Sequence, residues 1–171
     1  MDKKELIEKL LQTDEEISLL SNSDFKVDVI IAGGSALIIR DIIFRQTPDI
    51  DVIGLYKGME FIFNKYNINS RVNAFSDNLA ENYEDRIEKL DLKTKSLTFY
   101  TLGLEDLFLM KLYSDRKKDY LDITNDNFLS QINWDLIDKI IADGELDNTF
   151  NEKKYRSFLQ KYENFKKEFK R

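Results

Sequence analysis

The chain contains no cysteine and no histidine. The first absence excludes a disulfide framework, a thiolate metal site and a thiol nucleophile. The second removes the usual zinc ligand, the usual general base and any Ser-His triad. Chemistry is left to carboxylates, lysines and hydroxyls, and the metal that suits those donors is a hard, oxygen-seeking cation such as Mg²⁺ or Mn²⁺. A single proline and six glycines predict long helices with few loops. Long apolar runs are missing too: no window approaches the ~20 residues of a membrane span. The charged start Met1-Asp2-Lys3-Lys4-Glu5 leads into no apolar leader core, so the expected compartment is the cytoplasm, away from any membrane.

What is present is the material of a globular interior. Of 171 residues, 42% are hydrophobic and 34% charged, with 12 Phe and 8 Tyr. That composition excludes a disordered chain and is enough to bury the core of one domain. The net charge of −6 conceals an asymmetry. From Lys153 to Arg171 there are eight basic and two acidic residues, a net of +6, so the rest of the chain carries −12. A basic terminal segment suits a phosphate backbone, although the commoner meaning of such a run is the solvated face of a helix.

Periodicity predicts the organisation. Residues 3 to 20 carry apolar residues at helical spacing, and Val27 to Ala32 is a β-branched run of strand type. After Gly33 and Gly34, Ser35 to Ile43 reads as a helix, and Ile50 to Leu55 as the next strand. Gly58 to Tyr66 is expected to be helical and Arg71 to Phe75 a short strand. Between Tyr83 and Leu102 the period falls towards two, with Lys93-Thr94-Lys95-Ser96 as a hairpin turn. From Leu104 onward the pattern is helical, and its aromatic stripe from Tyr155 to Phe169 suits a core or a homodimer seam. The expectation is an α/β (α+β) protein: a small mixed sheet flanked by helices over residues 1–102, and an all-helical portion over 103–171 packed on it as one compact unit.

Two short motifs stand out. Asp49 and Asp51 alternate with Ile50 and Val52, so in a strand the two carboxylates share one face, about 6.5 to 7 Å apart at Cα, while the apolar pair faces the core. Two acids so close repel unless a cation lies between them. Gly33 and Gly34 suit positive φ and the close approach of a phosphate, and Ser35 adds a hydroxyl where the following helix begins. Together these residues have the parts of a phosphate seat beside a metal edge. Farther on, Lys111 falls on the same stripe as Leu104, Leu107 and Phe108. In an unbroken helix Asp122 would follow three turns later on that face, with Asp119 at its margin. A lysine so placed serves a site or merely snorkels past the core edge.

The series Gly33-Gly34-Ser35, then about a dozen residues, then Asp49-Ile50-Asp51 resembles the signature of the DNA polymerase β-like nucleotidyltransferase superfamily. The longer runs Val29 to Leu37 and Arg45 to Asp51 are similar to small bacterial members related to AbiEii-type toxins. So are Leu104 to Leu112, with its lysine, and the Arg116-Lys117-Lys118-Asp119-Tyr120-Leu121-Asp122 element. The likeness covers residues 29 to 123 and implies a nucleotidyltransferase fold, Mg²⁺ or Mn²⁺ at Asp49 and Asp51, and a nucleoside triphosphate as substrate. It further implies nucleotide binding by Gly33, Gly34, Ser35, Arg45 and Lys111, and a supporting or general-base role for Asp119 or Asp122. Glu88 and Asp91 are the candidates for a third metal carboxylate, and Arg40 is a second arginine for phosphate. An RNA acceptor such as a tRNA 3′ end, and an antitoxin partner, would follow from the toxin-like relation. A small-molecule acceptor and a non-catalytic nucleotide-sensing module are the alternatives.

Overall fold

The computed structural model describes residues 1–22, 24–54, 57–69, 79–114, 116–146 and 152–170. The chain divides into two units, Met1–Ala74 with Ile87–Leu102, and Phe75–Arg86 with Gly103–Arg171.

Among the described residues the first unit is a five-stranded mixed sheet with helices. Helix α1 (Lys3–Leu20) opens with a capping box: Asp2 accepts the Glu5 N–H at 2.9 Å and Glu5 accepts the Asp2 N–H at 2.8 Å. Strand β1 (Val27–Ala32) runs into α2 (Gly33–Ile39), followed by β2 (Ile50–Ile53), α3 (Glu60–Lys65), β3 (Ile68–Asn69), β4 (Glu88–Lys89) and β5 (Leu97–Thr101). The sheet order is β3-β2-β1-β5-β4, with β1 antiparallel to β2 and parallel to β5. Val29, Ile31, Val52 and Phe99 bury one face, where Leu6 and Leu10 of α1 and Leu37 of α2 complete the core.

The buried carboxylate of Asp14 on α1 fastens this unit at a distance in sequence. It accepts the N–H groups of Lys95, Ser96 and Leu97 at 2.7, 2.8 and 2.7 Å, so the turn before β5 is satisfied by a helix some eighty residues away.

Several boundaries depart from the periodicity. The helix expected to reach Ile43 stops at Ile39, because Asp41 turns to φ +58° and the N–H groups of Ile42 and Ile43 both return to the Leu37 carbonyl. Tyr83–Arg86 is a 3₁₀ turn, where alternation suggested a strand. The hairpin forms from β4 and β5 in antiparallel register. Strand β3 is shorter than any pattern a window detects, and it follows Asn67 at φ +59°. The strand expected from Arg71 to Phe75 lies outside the described residues, as does Leu55 at the expected end of β2.

The second unit is helical: α4 (Leu104–Tyr113), α5 (Lys117–Ile123), α6 (Asp126–Leu129), α7 (Trp134–Ala142) and α8 (Glu152–Phe169). Phe108 is its hub, with ring centroids 5.3 Å from Phe165, 5.8 Å from Trp134 and 6.3 Å from Phe128. Arg86 donates to Asp106 through two 2.8 Å bonds and to Glu145, just past α7, at 2.9 and 3.4 Å, fixing the 3₁₀ turn to α4 and to the end of α7. No helix among the described residues is long and apolar enough to cross a membrane.

Candidate functional site

The turn from β1 into α2 is built against the start of β2. Ala32 stands opposite Asp51 in the antiparallel register. The Ser35 hydroxyl donates to the Ala32 carbonyl at 2.9 Å and accepts the Asp51 N–H at 3.3 Å, tying the turn to the acidic strand. Gly33 adopts φ +62°, and a Cβ there would lie 2.4 Å from Asp51 Oδ2. At Gly34 a Cβ would lie 2.6 Å from an Arg45 guanidinium nitrogen. The two glycines therefore make room for an acid and a cation of this same chain, one at each position. Of the two glycines that suit positive φ, only Gly33 adopts it.

Asp49 sits one residue before β2, and both it and Asp51 are half-buried. Ile50 and Val52 are fully buried, so alternation turns Asp51 to the other face of the sheet. The Thr47 hydroxyl donates to the Asp49 carbonyl at 3.3 Å, shaping the approach to the strand. On its second edge β2 pairs in parallel with β3, Ile50 with Ile68 and Asp51 with Asn69.

Glu88 belongs elsewhere. It pairs with Thr101, which shares the buried face of Ile31 and Val52, and its carboxylate accepts from Arg40 at 2.8 Å. Arg40 also reaches the Thr101 hydroxyl, at 3.2 Å. Glu88 thus lies on the face opposite Asp51, and Asp91 lies in the connection beyond β4. Among the described residues no group of three acids, histidines or cysteines is arranged to hold a metal. The place of Asn69 beside Asp51 comes from strand pairing and leaves no mark in the local pattern.

The helical unit brings Lys111, Asp119 and Asp122 together, though not through one continuous helix. Helix α4 ends at Tyr113, Ser114 is extended at ψ 139°, and α5 begins after Arg116 at ψ 127°. Across that break the Lys111 ammonium donates to Asp119 at 2.7 Å and to Asp122 at 2.8 Å, and Arg116 adds a 2.6 Å bond to the other Asp119 oxygen. All three of Lys111, Asp119 and Asp122 are buried; Lys111 is only 5% exposed. Burial alone would raise the Asp119 pKa, but the charge and hydrogen bond of Lys111, with help from Ser114 and Arg116, outweigh it and hold the group below its ordinary value. The snorkelling alternative does not describe this lysine, whose ammonium is enclosed.

The basic tail forms α8. Phe158, Tyr162 and Phe165 are buried, placing the aromatic stripe in the core. Lys166 grips both oxygens of Asp138 at 2.7 Å, Lys170 approaches Asp135 at 3.3 Å, and Lys161 donates to the Ser114 carbonyl at 3.0 Å. Much of the positive charge is thus matched within the helical unit.

The sheet unit is thus an α/β fold whose Gly-Gly-Ser turn is tied to Asp51 on the neighbouring strand. Over residues 8–170 the chain matches a family described as a nucleotidyltransferase of unknown function (DUF6036), and it belongs to that family. Neither curated proteins nor solved structures give a match.

Proposed function

We propose that this protein transfers a nucleoside monophosphate from a nucleoside triphosphate to an acceptor hydroxyl or phosphate, with Mg²⁺ or Mn²⁺ held at Asp49 and Asp51. The observation that carries the reading is the fixing of Asp51. Its backbone N–H is bound by Ser35 and its carboxylate lies against Gly33, so the acid is pre-set at the turn where a phosphate would approach. The donors fit the ion: two half-buried carboxylates at alternate positions leave coordination places for substrate oxygens, as Mg²⁺ sites with triphosphates require. When bound, the ion neutralises phosphate charge and polarises the α-phosphoryl group.

The chain's own residues supply the rest of the proposal. Arg45, packed at Gly34, offers a planar cation to phosphate oxygens. Gly33, Gly34 and Ser35 set the distance between that cation and Asp51. The acceptor oxygen forms its bond to the α-phosphorus as the bond to the β-phosphate bridge breaks; an acceptor hydroxyl releases its proton to water, and pyrophosphate leaves with its charge facing Arg45. Lys111 acts as a positioning residue: its two bonds hold the carboxylates of Asp119 and Asp122 in place in the helical unit.

The test is incubation with each labelled triphosphate, Mg²⁺ or Mn²⁺ and total cellular RNA, because the AbiEii-type resemblance makes an RNA 3′ end the acceptor to try first. Label should enter RNA with the wild-type chain and not with Asp49→Ala/Asp51→Ala. Equal labelling by the double variant would end the proposal. A second reading, a nucleotide-binding module without catalysis, draws on the absence of a three-acid cluster among the described residues. It predicts triphosphate binding with no transfer to any acceptor.

A further inference from the structure

We infer that the outer face of α5 is a binding surface for single-stranded nucleic acid, on which Tyr120 stacks against a base while Lys117 and Lys118 take the neighbouring phosphates. The surface lies wholly within the helical unit. It stands whether or not Asp49 and Asp51 hold a cation, and so goes beyond the transfer reaction proposed above.

Helix α5 separates its charges by side. Asp119, Asp122 and Ile123 fall on one arc and are buried, and both acids are bound by Lys111. Lys117, Lys118, Tyr120 and Leu121 fall on the opposite arc, where spacings of three and four residues make them neighbours, and all four are exposed. The outer face thus carries two cations and no acid from the helix itself. Among the described residues neither of these lysine ammonium groups makes an ion pair or a hydrogen bond. Other cations of the unit are committed: Lys166 and Lys170 to the acids of α7, and Arg116 to Asp119. Lys117 and Lys118 keep their charge for a partner.

Tyr120 supplies the ring. It is 41% exposed, and it meets the buried Phe165 of α8 at 6.0 Å between centroids and 84° between planes. A T-shaped contact occupies at most one face of the tyrosine, and the exposure leaves the other for a planar partner. Leu121, 59% exposed, widens the apolar contact. Two lysines alone would take any polyanion. An exposed ring beside them favours a polyanion whose charges alternate with planar rings, which is a single strand with its bases unpaired. A duplex keeps its bases stacked inside and offers Tyr120 no ring face. An anionic membrane needs a broader apolar face than one tyrosine and one leucine on a helix of seven residues.

The experiment is fluorescence anisotropy of labelled oligouridylate and oligodeoxythymidylate, each of about twelve nucleotides, with the full chain over a range of salt. EDTA is present and triphosphate is not, so neither a metal ion nor transfer enters the result. The wild-type chain should bind, and the tighter of the two strands names the source as RNA or DNA. Lys117→Gln/Lys118→Gln should lower the slope of log affinity against log salt by roughly 1.4. Tyr120→Ala should weaken binding by roughly fivefold or more, while Tyr120→Phe, which keeps the ring, should bind as the wild type does. No binding of either strand by the wild-type chain, or an unchanged slope in the lysine variant, overturns the surface. Wild-type affinity in Tyr120→Ala, or inorganic polyphosphate that competes as well as the strand, reduces the face to charge alone and overturns the inference. Binding to phosphatidylserine vesicles with no binding of either strand overturns it in favour of a membrane. The lysine variant changes only exposed side chains, so the test holds even if Tyr120→Ala, which loses the contact with Phe165, fails to fold. Each of these failures leaves the transfer proposal standing, because that is read from label incorporation and the Asp49→Ala/Asp51→Ala variant.

Discussion

The two units treat their aspartates in opposite ways. In the helical unit Asp119 and Asp122 are buried and share an internal cation, the Lys111 ammonium, at 2.7 and 2.8 Å. In the sheet unit Asp49 and Asp51 are half-buried, and the neighbours that position Asp51 are a hydroxyl, a glycine turn and a strand pair. A buried acid that carries its own counter-ion has spent its capacity on the fold, and removing the partner leaves uncompensated charge. On the proposed reading, the half-buried acids at the sheet edge take an ion from outside as well. The same residue type is thus bonded to a buried lysine in one unit and half-buried beside a glycine turn in the other, and the difference lies in what was built around it.

The sharpest way to break this contrast is to remove the half-buried acids. Asp49→Ala/Asp51→Ala should lower labelled-nucleotide transfer by ~10³-fold or more, in the range of losses seen when charge stabilisation is deleted, while the circular dichroism spectrum stays that of the wild type. A lost spectrum would mean that these acids, too, are structural.

The closed pair should fail by stability instead. Lys111→Met leaves two buried carboxylates without their cation and should cost about 3–5 kcal/mol in urea unfolding at neutral pH. The Asp119 pKa lies below its unfolded value, so its stabilising contribution is full above the ordinary carboxylate range and is lost as pH falls through the lower folded value. The wild-type advantage over Lys111→Met should therefore shrink below about pH 4. A gap that stays constant down to acid pH would show that the ion pair is not its source.

A smaller effect sharpens the glycine argument. Gly33→Ala combines a φ of +62° with a 2.4 Å approach to Asp51. It should destabilise by roughly 1–3 kcal/mol and displace the carboxylate, weakening Mn²⁺ binding as well. Unchanged Mn²⁺ affinity would separate the turn from the site.

The smallest expected effect concerns α8. Lys153→Gln/Lys167→Gln neutralises two exposed lysines of the basic tail, while Lys166 and Lys170 stay paired with α7. If α8 follows an RNA backbone, the slope of log affinity against log salt should fall by roughly 1 to 2. An unchanged slope assigns the tail to the fold of the helical unit.

The legible part of this protein was the part written in local pattern. The spacing of Leu6, Leu10 and Ile17 gave α1 to the residue, and Val27 to Ala32 gave β1. The small mixed sheet with a helical C-terminal portion was read from the same signals. Boundaries failed where a single backbone angle decided them, as at Asp41, whose left-handed turn ends α2 inside an apolar run that could have continued. The lysine and two aspartates were expected to meet along one helix. They meet across a break instead, because two residues of extended backbone around Ser114 and Arg116 fold α5 back towards α4.

By itself, then, the sequence determined the absence of thiol and imidazole chemistry, the apolar periodicities, and the order Gly-Gly-Ser before Asp-Ile-Asp, because each is a property of neighbours along the chain. Only tertiary structure decided that Asp51 would fill the space of Gly33, that Glu88 would face Arg40 on the opposite side of the sheet, and that Asn69 would stand beside Asp51. Strand register joins residues that local pattern cannot connect. A shift of one residue reverses the face of every side chain on the strand.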